Sequence, residues 1–159
     1  MKFRLLLLPL GFALISVVGV RAEDPKPAAA PAAKPEKPET ELEKTMGKMG
    51  KAWRQVRKNA RDGKLTPADA ALVATVRAGA VAGEKLTPAL EADKPAADRA
   101  KFQADYVAQL KKLEATLTKL EAALTANDTA GATKLVAEAG DLMKAGHKEF
   151  RKPEENEHH

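Results

Sequence analysis

Between Glu41 and Asp62 an apolar stripe runs through Leu42, Met46, Met49, Trp53, Val56 and Ala60, in steps of four and three by turns. That spacing draws one stripe along an α-helix and cannot serve a half-buried strand, whose inward residues recur every second position. The same period returns in Phe102, Tyr106, Leu110, Leu113, Leu117, Leu120 and Leu124, and again in Leu135, Val136, Ala139, Leu142, Met143, His147 and Phe150. Between the first and second of these stripes lies an Ala-rich segment with Leu72, Val76 and Val81, opened by Thr66-Pro67 and Asp69 and running to about Lys85. Gly63 stops the first helix, Asn127-Asp128-Thr129 turns the third into the fourth, and Pro153 ends the fourth. The expected fold is all-α: an antiparallel up-down-up-down four-helix bundle over residues 41–152. A single long helical hairpin would leave the second helix without a use for its apolar face.

The two ends read differently. Residues 1–22 combine Lys2 and Arg4, an apolar run from Leu5 to Val20, and small residues at Val20 and Ala22, the pattern of a cleaved signal peptide. The run contains Pro9 and falls short of the roughly 20 residues a spanning helix wants, so no membrane association is expected after cleavage. Residues 23–40, EDPKPAAAPAAKPEKPET, lack any large apolar side chain and read as a solvated linker. Residues 153–159 read as a disordered tail whose His158-His159 pair binds only adventitious metal. The signal implies a periplasmic protein, yet there is no cysteine, so packing or a bound group must hold the fold. Of the formal charge of +5, three cations belong to the signal, leaving +2, too little to suggest nucleic acid as a partner.

Topology turns this string into a candidate site. In such a bundle the start of the first helix, the end of the fourth and the connection after the second share one end. Met46 and His147 then lie at matched depth, some 6 to 9 Å below that end at about 1.5 Å rise per residue. Thr87, Pro88 and Phe102 fall nearby. A thioether and an imidazole facing each other beside an aromatic wall suit the two axial positions of a haem iron. Two plainer readings stand beside this one. A histidine near a helix C-terminus complements the helix dipole, and a methionine on an apolar stripe is often packing. Gly47, Gly50 and Gly146 beside the two residues favour the approach of something bulky.

At these residues the chain resembles the cytochrome b562 family. LEKTMGKM places Leu42, Glu43 and Met46 on the family's first-helix pattern L-E-x-x-M, and HKEFR places His147, Phe150 and Arg151 on its closing H-x-x-Y-R. VRAGAVAGEKLTP matches the intervening segment at Arg77, Ala78, Ala80, Thr87 and Pro88. The likeness spans about Glu41 to Lys152. It implies one non-covalent haem b per chain with Met46 and His147 as axial ligands. It further implies Pro88, Phe102 and Tyr106 in the pocket wall, Met143 against the porphyrin, and Arg151 near a propionate. Covalent attachment of the c type needs C-x-x-C-H, and MKAGH, Met143 to His147, has neither cysteine.

The function implied is a monomeric periplasmic one-electron carrier serving other redox proteins. A haem reservoir or sensor and a haem-free structural bundle are the alternatives. No Ser/His/Asp set, phosphate-binding glycine loop or HExxH is present, so an enzyme is not expected.

Overall fold

The computed structural model describes residues 38–152. The expected signal peptide, all but the last three residues of the expected linker, and the expected tail lie outside them. Four helices account for most of the described chain: α1 Glu41–Arg61, α2 Ala70–Gly83, α3 Ala96–Thr125 and α4 Thr129–Phe150. No strand occurs among the described residues, and no helix there is long and apolar enough to cross a membrane.

Each helix begins and ends for a local reason. Thr40 Oγ1 accepts from the Glu43 amide at 3.2 Å while the Glu43 carboxylate accepts from the Thr40 amide at 2.7 Å, a reciprocal cap that satisfies two otherwise orphaned donors. Gly63, at φ +66°, takes the left-handed turn that stops α1. The Thr66-Pro67 opening is a short 3₁₀ turn, Pro67–Asp69, before α2 proper. There Asp69, only 5% exposed, accepts from Asn59 Nδ2 at 2.6 Å and from the Thr66 amide at 2.8 Å, pinning the end of α1 to the start of α2. Asp128 caps α4 by accepting from the Gly131 amide at 2.9 Å. The connection from α2 to α3 is the longest in the bundle and carries a second 3₁₀ turn at Glu91–Asp93.

Cross-helix partners run in opposite numerical order. Met46 meets Gly83 and Met49 meets Gly79, with Asn59 on Asp69 farther down. Gln103 donates to the Leu86 carbonyl and Arg77 pairs with Glu121 at 2.7 Å. Gln109 donates to the Leu142 carbonyl and Thr116 Oγ1 to Glu138. Each helix therefore runs antiparallel to the next. The core is a single cluster built on Leu110, Leu113, Leu117, Leu120 and Leu124 of α3, with Val56, Val73, Val76, Ala132, Val136 and Ala139 from the other helices. On α2 the buried positions are Val73, Val76, Ala80 and Gly83, and Val81 turns outward at 38% exposure.

The helix neighbours in sequence pack closely, whereas α1 and α4 barely touch. Leu42 and Met46, and Leu142 and Met143 opposite them, are accordingly only half-buried although they continue buried stripes. One close approach on the packed side is set by a glycine. A Cβ on Gly79 would collide with Met49 Cγ and Sδ, near the root of a buried side chain that has little freedom to move. Gly79→Ala is expected to cost about 1–3 kcal/mol in urea denaturation. Gly47→Ala, where an added Cβ meets nothing within 4 Å, should instead add up to about 1 kcal/mol.

Candidate functional site

Where α1 and α4 part, a cavity of ≈ 720 Å³ opens, within the range of about 300–1,000 Å³ usual for small-molecule sites. α1 contributes Leu42, Met46, Met49 and Trp53, α3 contributes Tyr106, Gln109, Leu110 and Leu113, and α4 contributes Leu142, Met143, His147 and Phe150. Pro88, buried in the long connection, closes the end. The lining is mostly apolar, with charge only at the rim: Glu39, Glu43, Lys51, Arg54, Arg151 and Lys152.

His147 is exposed to this groove and is the only histidine among the described residues. Its apolar surroundings first, and the Arg151 guanidinium second, hold its pKa below the ordinary 6.5. The imidazole is therefore neutral at neutral pH and has a lone pair to give. Met46, half-buried on the facing helix, offers a thioether. Among the described residues no group of three His, Cys, Asp or Glu is placed to hold a bare ion. The donor set is one imidazole and soft sulfur in an apolar groove.

Tyr106 supplies a second sign of a missing partner. Its side chain is 5% exposed and its hydroxyl makes no hydrogen bond. Leaving such a group unpaired costs about 1–3 kcal/mol. Burial lifts its pKa to about 12, so it is a donor at any physiological pH.

Of the residues singled out in the sequence, Met46, Pro88, Tyr106, Met143, His147 and Arg151 line the cavity together. Phe102 does not. It stands behind Phe150, ring centroids 5.1 Å apart, and Lys94 Nζ sits 4.7 Å from its own centroid. Phe150 presents the aromatic surface to the groove and also meets Tyr106 edge-on at 5.4 Å. The close approach at Gly146 comes from within the bundle, where Gln109 Cγ lies 3.5 Å from the Cβ position, while Gly47 and Gly50 leave the α1 edge of the groove low.

Sequence reasoning passed over Trp53, at the deep end, and Lys51 and Arg54, at the rim. Each had a signal. Trp53 lies two turns beyond Met46 on the same stripe. Lys51 and Arg54 belong to a run of seven cations, Lys44, Lys48, Lys51, Arg54, Arg57, Lys58 and Arg61, with no acid between them. All seven are exposed, and only Lys58 and Arg61 lean on an acid, Asp62, at 2.7 and 3.8 Å.

A family model described as Cytochrome b562 matches residues 41–151, from the first residue of α1 to the residue after α4. No curated protein and no solved structure matches the chain.

The depressed pKa of His147 has a consequence for the protein without a bound group. Below 6.5 the unfolded chain takes up a proton that the folded chain resists, so stability falls as pH drops through that window and the loss levels off below the folded pKa. Urea midpoints at pH 7.5 and pH 5 should therefore differ less for His147→Gln than for the wild type. An equal difference would locate the pH dependence elsewhere.

Proposed function

The chain belongs to the cytochrome b562 family, a family of haem-binding helical bundles, and from that premise we propose that it is a periplasmic electron carrier. In this reading it holds one non-covalent haem b in the groove between α1 and α4, with Met46 and His147 as axial ligands. One observation carries the proposal. The sole histidine of the described residues and Met46, 101 positions apart in sequence, open onto the same apolar cavity. The residues suit such a group: a flat apolar body fits between Leu42, Leu110, Leu142, Met143 and Phe150, and Tyr106 has an unused donor to offer.

When bound, the haem supplies a reversible one-electron couple at its iron. The chain's part is to fix the ligands and the surroundings. His147, kept neutral, gives nitrogen without first losing a proton. Met46 gives a soft thioether, which favours the ferrous state and raises the potential. The apolar walls exclude water and disfavour the extra ferric charge. Arg151 stands at the rim, where a propionate would emerge. With Met46 and His147 both holding the iron, no position would be left for a substrate, so this reading is electron transfer and not turnover. The exposed cations of α1 beside the rim favour acidic redox proteins as partners, served by a monomer.

A haem reservoir is the second reading, favoured by the exposure of His147 and the loose α1–α4 seam. The two are separated by measurement. Purified holoprotein should show a sharp low-spin α-band on reduction, which Met46→Ala and His147→Ala each abolish while leaving the helical circular dichroism in place. An unchanged spectrum in either variant removes that residue from the iron. Rapid loss of haem to apomyoglobin, together with slow exchange of electrons, would favour the reservoir.

The cationic face predicts the sign of salt effects as well. Oxidation of the ferrous protein by ferricyanide should slow as salt is added, and oxidation by a cationic cobalt phenanthroline complex should quicken. Lys48→Glu with Arg54→Glu should flatten both slopes. Slopes unaffected by the double change would separate α1 from the route of electron exchange.

A further inference from the structure

Tyr106 and Met46 share one notch. The α2 backbone at Gly83 has no side chain, and three groups crowd the place where a Cβ would sit: Met46 Cε at 3.2 Å, Leu110 Cδ1 at 3.2 Å and Tyr106 Oη at 3.3 Å. The phenol is held there by its edge contact with Phe150 and by burial between α2, α3 and α4. Of the three side chains that meet at this Cβ position, Met46 is the one that carries a hydrogen-bond acceptor besides the phenol itself, its sulfur; Gln103 Oε1, the other buried unpaired acceptor, belongs to a side chain already directed to the Leu86 carbonyl. Leu110 and the phenyl ring of Phe150 have none.

A thioether sulfur has two lone pairs. Metal ligation uses one, and the other can still accept a weak hydrogen bond. With its methyl lodged 3.2 Å from the same Cβ position that the phenol oxygen approaches to 3.3 Å, Met46 brings its thioether to the notch that holds Tyr106, and the phenol makes no hydrogen bond to it before a metal is engaged.

We propose that Tyr106 is the positioning residue for the Met46 ligand: its hydroxyl donates to the Sδ lone pair that metal ligation leaves free. This rests on the reading of Met46 as an iron ligand and goes beyond it. Two consequences follow from the bond. It selects one rotamer of Met46 and one face of the sulfur, so the ligand is held in place once the metal is engaged. It also withdraws electron density from the thioether, weakening its donation to ferric iron more than to ferrous, so the phenol raises the potential above what the thioether alone would set. Ligation supplies the partner that the hydroxyl otherwise lacks.

Tyr106 is the single tyrosine of the chain, which makes a graded test possible. Tyr106→Phe removes the donor and keeps the ring. In the apoprotein, urea stability should be unchanged or higher, because an unpaired buried hydroxyl has gone. In the holoprotein, haem should pass to apomyoglobin roughly 2- to 10-fold faster, the midpoint potential should fall, and the ferric sulfur-to-iron charge-transfer band should shift. Replacing the tyrosine biosynthetically with 3,5-difluorotyrosine gives a more acidic phenol and a stronger donor, and should move the potential the other way. Opposite shifts from the two changes support the bond. A potential and band unmoved by both overturn it, and so does equal destabilisation of apo and holo forms, the mark of a packing role. If Tyr106→Phe fails to fold, the fluorinated protein decides alone. Met46→Ala separates the two layers. Should its spectrum match the wild type, the ligand reading itself fails. Should it change while the Tyr106 substitutions stay silent, only this inference fails.

Discussion

The leucine ladder of α3 bears the rest of the structure. Leu110, Leu113, Leu117, Leu120 and Leu124 are all buried, and from them α2 packs on one side and α4 on the other. α1 is then held chiefly by α2 and the turn before it, through Met49 over Gly79 and the Asn59–Asp69 hydrogen bond. Three seams close by hydrophobic packing between helices joined in sequence. The fourth, between α1 and α4, joins the first helix to the last, and the two scarcely meet. A bundle core supplies apolar surface whether or not its last seam is shut, so a gap there produces a groove with a ready-made apolar lining.

The chemistry of that groove comes from four places in the chain, and each is constrained by something other than binding. Met46 continues the stripe that buries Met49 and Trp53. His147 sits one turn before Phe150, whose burial ends α4. Tyr106 belongs to the same ladder as Leu110. Pro88 lies in the connection that must span the bundle end. Packing fixes the direction of each side chain, and in Met46, His147 and Tyr106 the polar or soft atom at the tip is what remains. Electrostatics follows the same division. The net charge looks bland because the acids are collected on the other helices and loops, leaving α1 with cations alone from Lys44 to Arg61.

Much of this was legible beforehand. Helix positions followed from the spacing of apolar residues, the stops at Gly63 and Asn127 from turn chemistry, and the opening of residues 46 and 147 onto one cavity from the arithmetic of chain reversal. What the sequence could not carry was depth across the bundle. Phe102 and Phe150 are both aromatic residues on inward stripes at the same end, and only packing decides that Phe150 faces the groove with Phe102 behind it. Gly146 likewise looked like room for a bulky group, whereas the space is used by Gln109, which also donates to the Leu142 carbonyl. Periodicity gives the face of a helix but not which of two neighbours occupies the space in front of it. The seven cations without an acid between them were plain in the letters and hidden by averaging over the whole chain.

The buried Asp69 has a meaning beyond the turn it organises. It fastens α1 to α2 at the end of the bundle remote from the groove, and the tight Asn127-Asp128 turn fastens α3 to α4 at that same end. The bundle is thus built like a clothes peg, gripped at one end and parted at the other. Spreading the jaws to admit a flat guest need not loosen the grip, because different residues govern the two. Such a division lets substitutions in the mouth change what is held, and how tightly, while the spring that keeps the chain folded is left alone.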